Sequence, residues 1–202
     1  VVSEVLYDAD QKRATGVRVI DAETKEVIEF KAKVIFLCAS AVASSSILMQ
    51  SKSDRFPNGM GNDSGELGHN LMDHHFQVGA EGLMEGYEDK YYTGRRPNGI
   101  YVPRFRNIGG ATNQKDFIRG YGYQGGGGRG GWSSKVAELG YGAEFKEALT
   151  EPGSWSLGMT GFGEVLPYHE NKMVLNYDKL DEWGLPTVTF DAGIKENELN
   201  MR

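Results

Sequence analysis

An apolar stretch that leads into small residues constrains this chain more than any other feature of its sequence. Val34-Ile-Phe-Leu-Cys38 is apolar, and the next eight residues, Ala39–Ser46, are all small except for one valine. We predict a buried parallel strand over Lys33–Cys38 and a short helix over Val42–Lys52. Small side chains allow a ligand to approach the backbone closely, and a helix N-terminus suits a phosphate or ribose. Such a unit also occurs in many α/β folds without a nucleotide.

The overall composition is that of an ordinary globular protein and excludes several classes. The chain has 202 residues, a net charge of -6 and one cysteine, Cys38. The negative charge argues against a nucleic-acid partner, and no apolar run reaches the ~20 residues that span a bilayer. One cysteine cannot form an intrachain disulfide. Cys38 ends the predicted buried strand, so we expect it to be an inert structural thiol. We therefore predict a soluble protein, cytoplasmic or periplasmic, without a transmembrane segment.

The alternation of apolar and polar residues predicts mostly antiparallel β-structure around that unit. Residues 1–8, 16–21 and 27–30 are typical of the strands of a three-stranded meander. Composition changes near residue 75, and 28 glycines in the chain indicate many turns. Further strands are predicted at His75–Leu83, Gly99–Phe105, Phe117–Tyr123 and Trp155–Leu166, a hairpin from Lys172–Asn176 to Thr187–Phe190, helices at Ser134–Leu149 and Glu196–Arg202, and a flexible loop at Gly125–Gly131.

Two stretches together resemble the middle of a glucose-methanol-choline (GMC) flavin oxidoreductase. They are the strand–helix unit at residues 34–51 and the segment Pro57-Asn-Gly-Met-Gly-Asn-Asp-Ser-Gly-Glu-Leu-Gly-His-Asn-Leu-Met-Asp-His74. The bacterial sugar and gluconate dehydrogenase branch is the most similar. Later segments resemble the second domain of the same enzymes, in order: Gly163–Pro167, Asn171–Asn176, Asp181–Thr189 and Glu196–Glu198.

The resemblance implies a mixed α+β and α/β fold with two partial domains. Residues 1–75 are expected to be part of a Rossmann-like FAD-binding domain. Residues 76–202 are expected to be part of a substrate-binding domain with a mostly antiparallel sheet and helices. In the family, that sheet covers the flavin and forms one wall of the substrate pocket.

The resemblance also implies the chemistry. GMC enzymes use FAD to oxidise an alcohol group, here of a sugar, sugar acid or polyol, by hydride transfer to the flavin while a base takes the hydroxyl proton. The catalytic histidine and the pyrophosphate-binding glycine motif are expected outside this chain, because His69, His74, His75 and His169 do not match the catalytic position. We therefore assign no catalytic residue and expect the fragment to be inactive, to bind FAD weakly or not at all, and to self-associate.

Five residues are candidates for contact with the adenosine part of FAD. The resemblance places Cys38, Ala39 and Ser40 against it, with the helix beginning near Ser44. The family more often has Ala-Gly where this chain has Ala39-Ser40. The resemblance also places a backbone contact to adenine at Val2, although a plain core valine explains Val2 equally well.

Three other motifs have simpler explanations. Gly120–Gly125 matches G-x-G-x-x-G, but no helix can begin among the glycines that follow, so we do not assign it to phosphate. Asp73-His-His75 lacks the spacing of a metal site, so we expect structural histidines or ones that line the flavin pocket. A stretch of tyrosines and arginines suits either a substrate-side surface or a packed interface: Tyr91, Tyr92, Arg95, Arg96, Tyr101, Arg104 and Arg106.

Two alternatives to an oxidoreductase remain open. The Gly- and Tyr-rich second half would suit a non-catalytic carbohydrate- or protein-binding module. A subunit with an FAD-type fold could also serve only as a scaffold for a partner. The strand–helix unit at residues 34–51 favours the oxidoreductase, because a β-rich binding module does not need it.

Overall fold

The computed structural model describes residues 1–89, 99–131 and 140–202, without the side chains of Phe76 and Gln77. The chain divides into two compact units. Unit 1 is Val1–Met72 with Pro167–Gly193, and unit 2 is Asp73–Leu166 with Ile194–Arg202.

The regular elements of the described residues are short strands and three short α-helices. In chain order they are β1 (Val2–Asp8), β2 (Arg13–Ile20), β3 (Val27–Lys31), α1 (Ala41–Gln50), β4 (His74–Met84), β5 (Gly99–Val102), a 3-10 turn (Gly110–Thr112), β6 (Tyr121–Arg129), α2 (Ala143–Ala148), β7 (Trp155–Glu164), β8 (Lys172–Leu180), β9 (Pro186–Asp191) and α3 (Glu196–Met201). The predicted mixture of helices with antiparallel sheets is confirmed. No helix in these described ranges is long and apolar enough to cross a membrane.

Unit 1 contains the predicted meander. Strands β1, β2 and β3 form an antiparallel sheet in that order. The turn between β2 and β3 is set by Asp21, whose carboxylate oxygen Oδ1 accepts hydrogen bonds from the backbone N–H groups of Glu23 and Thr24 at 2.9 and 2.8 Å. These bonds hold the pKa of the Asp21 carboxyl below its ordinary value, and the bond from Thr24 has the largest effect. Local side-chain bonds of this kind are why aspartate favours turns.

Helix α1 packs on β1 through its C-terminal end. Ile47 is the buried residue of the helix, and Ser51 follows directly with 2% exposure. The Ser51 hydroxyl donates to the Ile47 carbonyl at 2.6 Å and accepts from the Val5 backbone N–H at 2.8 Å. One side chain therefore ends the helix and satisfies a backbone group of the edge strand β1.

The segment after β3 differs from its prediction. Lys33–Cys38 does not form a strand, and Val34 and Phe36 are 67% and 84% exposed. The prediction of a buried parallel strand there is wrong for this structure. A strand needs neighbours that share its hydrogen bonds, and β3 pairs with β2 while no described strand pairs with residues 33–38. The Rossmann-like character of residues 1–75 stays a prediction.

Residues 167–193 lie in unit 1, although the sequence placed them in the second domain. They include the antiparallel hairpin of β8 and β9, which the sequence predicted. Backbone bonds attach the start of β8 to the loop before residue 72: Met173 N–H donates to Gly68 at 2.8 Å, and Leu71 N–H donates to Asn171 at 2.9 Å. Non-local bonds of this kind have no signature in the sequence.

Unit 2 is built on an antiparallel sheet in the order β4, β7, β6, β5. The prediction of a flexible loop at Gly125–Gly131 is wrong for its first part, because Gly125–Gly128 belong to β6. A Cβ on Gly125 would lie 2.0 Å from the carbonyl oxygen of Gly158 on β7, so glycine is what allows the two backbones to approach. The G-x-G-x-x-G match also ends inside this strand, which lies between β5 and β7.

Helix α3 is fixed in unit 2 by a buried carboxylate. Glu198 is 0% exposed. Its Oε1 accepts from the Leu166 backbone N–H at 3.0 Å and its Oε2 from the Lys195 N–H at 2.9 Å. The second bond completes a capping box at the start of the helix. The predicted helix at 196–202 is thereby confirmed, whereas of the helix predicted at 134–149 only α2 is seen, since residues 134–139 lie outside the described ranges.

Candidate functional site

Unit 1 carries an apolar trough that brings three of the five candidate cofactor residues together. The trough measures about 450 Å³, and Val2, Cys38 and Ala39 all line it. Its other walls come from the meander, from residues 32–37, which follow β3 and which we call the exposed segment, and from α1. They are Val17, Phe30, Ala32, Val34, Ile35, Phe36, Leu37 and Ile47. Residues that are far apart in sequence meet here because β1 lies between β2 and α1.

The other two candidates, Ser40 and Ser44, lie at the N-terminus of α1. The Ser40 side chain accepts a hydrogen bond from the Ala43 N–H at 3.4 Å, and the Ser44 hydroxyl accepts one from the Ala39 N–H at 3.2 Å. Ser40 has φ 76° and ψ 165°. That backbone region is occupied almost only by glycine, so serine is strained at this position.

The trough residues fit a flat apolar group. Its volume is in the range of small-molecule sites, and its walls are aliphatic and aromatic side chains with the small Ala39 among them. None of the described residues that line it carries a charge, so the trough offers an apolar surface but no cationic cradle for a pyrophosphate.

The sheet of unit 2 has two faces with different surroundings. Residues paired across antiparallel strands point to the same face. His74 pairs with Glu164, and Phe162 pairs with Gly122, so these side chains share one face. His75, Gly163 and Tyr121 form a row on the other face, where a Cβ on Gly163 would meet the Met201 sulfur at 2.6 Å. Helix α3 therefore covers the second face.

The first face, which we call the open face, carries a pocket of about 210 Å³. Aromatic, cationic, acidic and amide groups line it together with three glycines and the edge of Tyr121. The side chains that give it its chemistry are His74, Tyr101, Arg104, Gln124, Phe162 and Glu164. The ring of His74 meets Phe162 edge to face, with centroids 6.4 Å apart. A few polar groups beside aromatic surface are typical of a site for a small polar organic ligand.

Glu164 lies between two arginines at the rim of this pocket. Arg104 Nη1 lies 3.7 Å from Glu164 Oε1, and Arg119 Nε lies 3.7 Å from Glu164 Oε2. The Glu164 side chain is 53% exposed, so water screens both ion pairs and each contributes little to stability.

The four histidines are distributed over different places. His74 lies on the open face, and His75 lies beneath α3 with 5% exposure. In unit 1, the rings of His69 and His169 stack with centroids 4.1 Å apart, and His69 Nδ1 lies 2.7 Å from the His169 carbonyl oxygen. Within the ranges that the structure describes, no three His, Cys, Asp or Glu side chains are grouped so as to hold a metal ion.

Comparison with known proteins finds a family model that is similar to the first part of the chain. Residues 1–76 match the family model described as GMC oxidoreductase. The match covers the meander, the exposed segment, α1 and the loop that follows, which are the parts that build the trough.

Two curated relatives are similar to nearly the whole chain. One is 2-methyl-1,2-propanediol dehydrogenase of Mycolicibacterium austroafricanum, 27% identical over 198 residues, which cover 94% of this chain and 34% of that protein. Another is the fructose dehydrogenase large subunit of Gluconobacter japonicus, 25% identical over 198 residues, covering 96% of this chain and 36% of that protein. The chain spans about a third of the length of these two relatives.

The sequence singled out some of the residues that line the trough and some of those that line the open-face pocket. Tyr101 and Arg104 were candidates for a substrate-side surface and line the pocket, whereas Tyr91, Tyr92, Arg95 and Arg96 lie outside the described residues. Gln124, Phe162 and Glu164 were not singled out. Strand alternation around Phe162-Gly-Glu164 was a signal that both side chains share a face, but only the register with β4 and β6 shows what they face.

Proposed function

We propose that the whole protein is an FAD-dependent oxidoreductase that oxidises an alcohol group of a sugar, sugar acid or polyol. The observation that carries the proposal is the match of residues 1–76 to the GMC oxidoreductases, since these same residues build an apolar trough around Val2, Cys38 and Ala39. FAD would supply the hydride acceptor. The two relatives, whose names describe a diol dehydrogenase and a fructose dehydrogenase, support an alcohol as the substrate.

On the cofactor side, this chain's residues would act by shape rather than by charge. Val2, Cys38 and Ala39 would hold the adenine between aliphatic walls and keep water from its faces. The hydroxyl of Ser44 already accepts the Ala39 N–H, so it would fix the backbone of the turn that the adenosine meets. Because the trough has no cationic wall, we expect this chain alone to bind FAD weakly or not at all.

On the substrate side, the open face of unit 2 would form one wall of the pocket. Phe162 and Tyr101 offer apolar surface for the carbon-bound hydrogens of a sugar, and Gln124 and Glu164 offer hydrogen-bonding groups for its hydroxyls. We assign no catalytic base to this chain. His74 reaches the same pocket, and we propose that it binds substrate or shapes the wall.

An absorbance spectrum of the whole protein tests the proposal most directly. We expect flavin bands that bleach anaerobically when a polyol or sugar is added, and that return with an electron acceptor. The variant Ala39→Trp should fill the trough and lower FAD affinity, whereas Ala143→Trp at the start of α2 in unit 2 serves as a control and should leave FAD affinity unchanged. A colourless protein that cannot be reconstituted with FAD would refute the proposal.

A carbohydrate-binding module without redox activity is the second candidate. The open-face pocket favours it, because its aromatic and polar lining would serve binding alone. Sugar binding by a protein that never takes up flavin would establish this alternative. Flavin bleaching by the same sugar would exclude it.

A further inference from the structure

Glu164 is the acidic group of the open-face pocket, and its partners leave it available to a ligand. It ends β7 and pairs across the sheet with His74. Both of its ion pairs are 3.7 Å long, which is beyond the length of a direct hydrogen bond. Its carboxylate therefore keeps acceptor capacity on the side that faces the pocket.

The nearby arginines are less available than their number suggests. Arg104 donates from Nε to the Arg106 carbonyl at 3.1 Å and from Nη2 to the Asn107 carbonyl at 2.6 Å. Its remaining nitrogen, Nη1, is the one that lies near Glu164. Arg119 meets the other carboxylate oxygen and is not among the residues that line the pocket. Arg104 thus cannot present a free two-pronged donor to a carboxylate ligand.

We propose that Glu164 makes this pocket selective for neutral polyhydroxy compounds over their carboxylated analogues; this inference rests on the proposed function. A carboxylate accepts hydrogen bonds from hydroxyl groups, and charge-assisted bonds are stronger than neutral ones. The same charge opposes the attraction of the Arg104 guanidinium, 3.7 Å away, for a ligand carboxylate that enters the pocket. Discrimination of this kind combines an attractive contact to one ligand with a repulsive contact to the other.

The test compares an alditol with the aldonate of the same carbon chain, D-sorbitol with D-gluconate, on the flavin-loaded whole protein. We expect the wild type to reduce its flavin with the higher kcat/KM for sorbitol, and Glu164→Gln to lower the sorbitol/gluconate ratio by about 10-fold or more. Glu182→Gln is the matched control, because Glu182 also forms an exposed 3.7 Å pair, with Lys25 in unit 1, and this variant should leave the ratio unchanged.

A second measurement follows the salt dependence of the same ratio. In Glu164→Gln no carboxylate opposes the charge of Arg104, so gluconate is attracted and the ratio should rise with ionic strength more steeply than in the wild type. An unchanged ratio in Glu164→Gln at low salt, or the same salt dependence in both proteins, overturns the role of Glu164 and leaves the oxidoreductase standing. If no substrate reduces the flavin, the proposed function fails instead. Calorimetric titration of the wild type with both compounds then decides the selectivity, and tighter binding of gluconate would contradict it.

Discussion

Replacing Ser40 by glycine should stabilise the protein, although serine caps α1. With φ 76° and ψ 165°, Ser40 occupies a region in which a residue with a Cβ is strained by about 1–3 kcal/mol. Glycine removes that strain. The GMC resemblance points the same way, since the family more often has glycine at this position.

The expected gain is the strain that is removed less two smaller losses. A glycine N-cap costs a few tenths of a kcal/mol relative to serine, and the Ser40 cap bond is long at 3.4 Å. The greater freedom of glycine in the unfolded chain costs about 0.5–1 kcal/mol. From a strain near the middle of its range, about 2 kcal/mol, the net stabilisation is about 1 kcal/mol, or a rise of about 2–4 °C in Tm for a protein of this size.

Ser40→Ala is the comparison that isolates the backbone term. Alanine keeps the strained conformation and loses the cap, so we expect a destabilisation of about 0.5–1 kcal/mol. Thermal unfolding of both variants, followed by circular dichroism, should therefore place the glycine variant above the wild type and the alanine variant below it. If the glycine variant melts at or below the alanine variant, the backbone of Ser40 is not strained and the reasoning fails.

Three further predictions follow from unit 1. Gly68→Ala should lower the free energy of unfolding by more than about 2 kcal/mol in a denaturant titration, because Gly68 has φ +90° and a Cβ there would lie 2.7 Å from the Met173 carbonyl oxygen. A smaller decrease would mean that the loop can move away from Met173. The Asp21 pKa is lowered by hydrogen bonds from the backbone of Thr24 and Glu23, so the stability that Asp21 contributes should be complete above about pH 4 and lost as pH falls further through the folded-state pKa. Asp21→Ala should make the free energy of unfolding depend less on pH in that window. An unchanged pH dependence of the free energy of unfolding there would contradict this. The chain alone should self-associate through its exposed apolar segment, and Phe36→Ser should reduce the mass measured by light scattering, whereas the same substitution at the half-buried Phe56 should not.

Local signals predicted much of the fold. The meander, the hairpin of β8 and β9, α1 and α3 all follow from alternation, turn residues and caps close in sequence. Asp21 shows why: its side chain bonds to residues two and three positions later, so the turn needs no tertiary partner. The preference of the GMC family for glycine at the position of Ser40 is also a local signal, because backbone conformation is a local property.

Pairing partners were harder to predict, and the errors are instructive. Val34–Cys38 has the composition of a buried strand, yet a strand exists only where neighbours share its hydrogen bonds, and the described chain supplies none there. Gly125–Gly128 has the composition of a loop, yet it is a strand because glycine allows β6 to approach β7 within van der Waals limits. Composition limits the secondary structures that a segment can adopt, and the segments that lie beside it in the fold decide which one it adopts.

The candidate site shows the same difference between what local sequence signals predict and what tertiary pairing decides. The sequence by itself determined the GMC resemblance, because that resemblance is carried by the strand–helix unit at residues 34–51 and by the segment that follows it. Only the tertiary structure decided that Glu164, Phe162 and Gln124 share a face with His74. Cross-strand register sets which side chains meet, and register depends on bonds between segments that lie far apart in sequence.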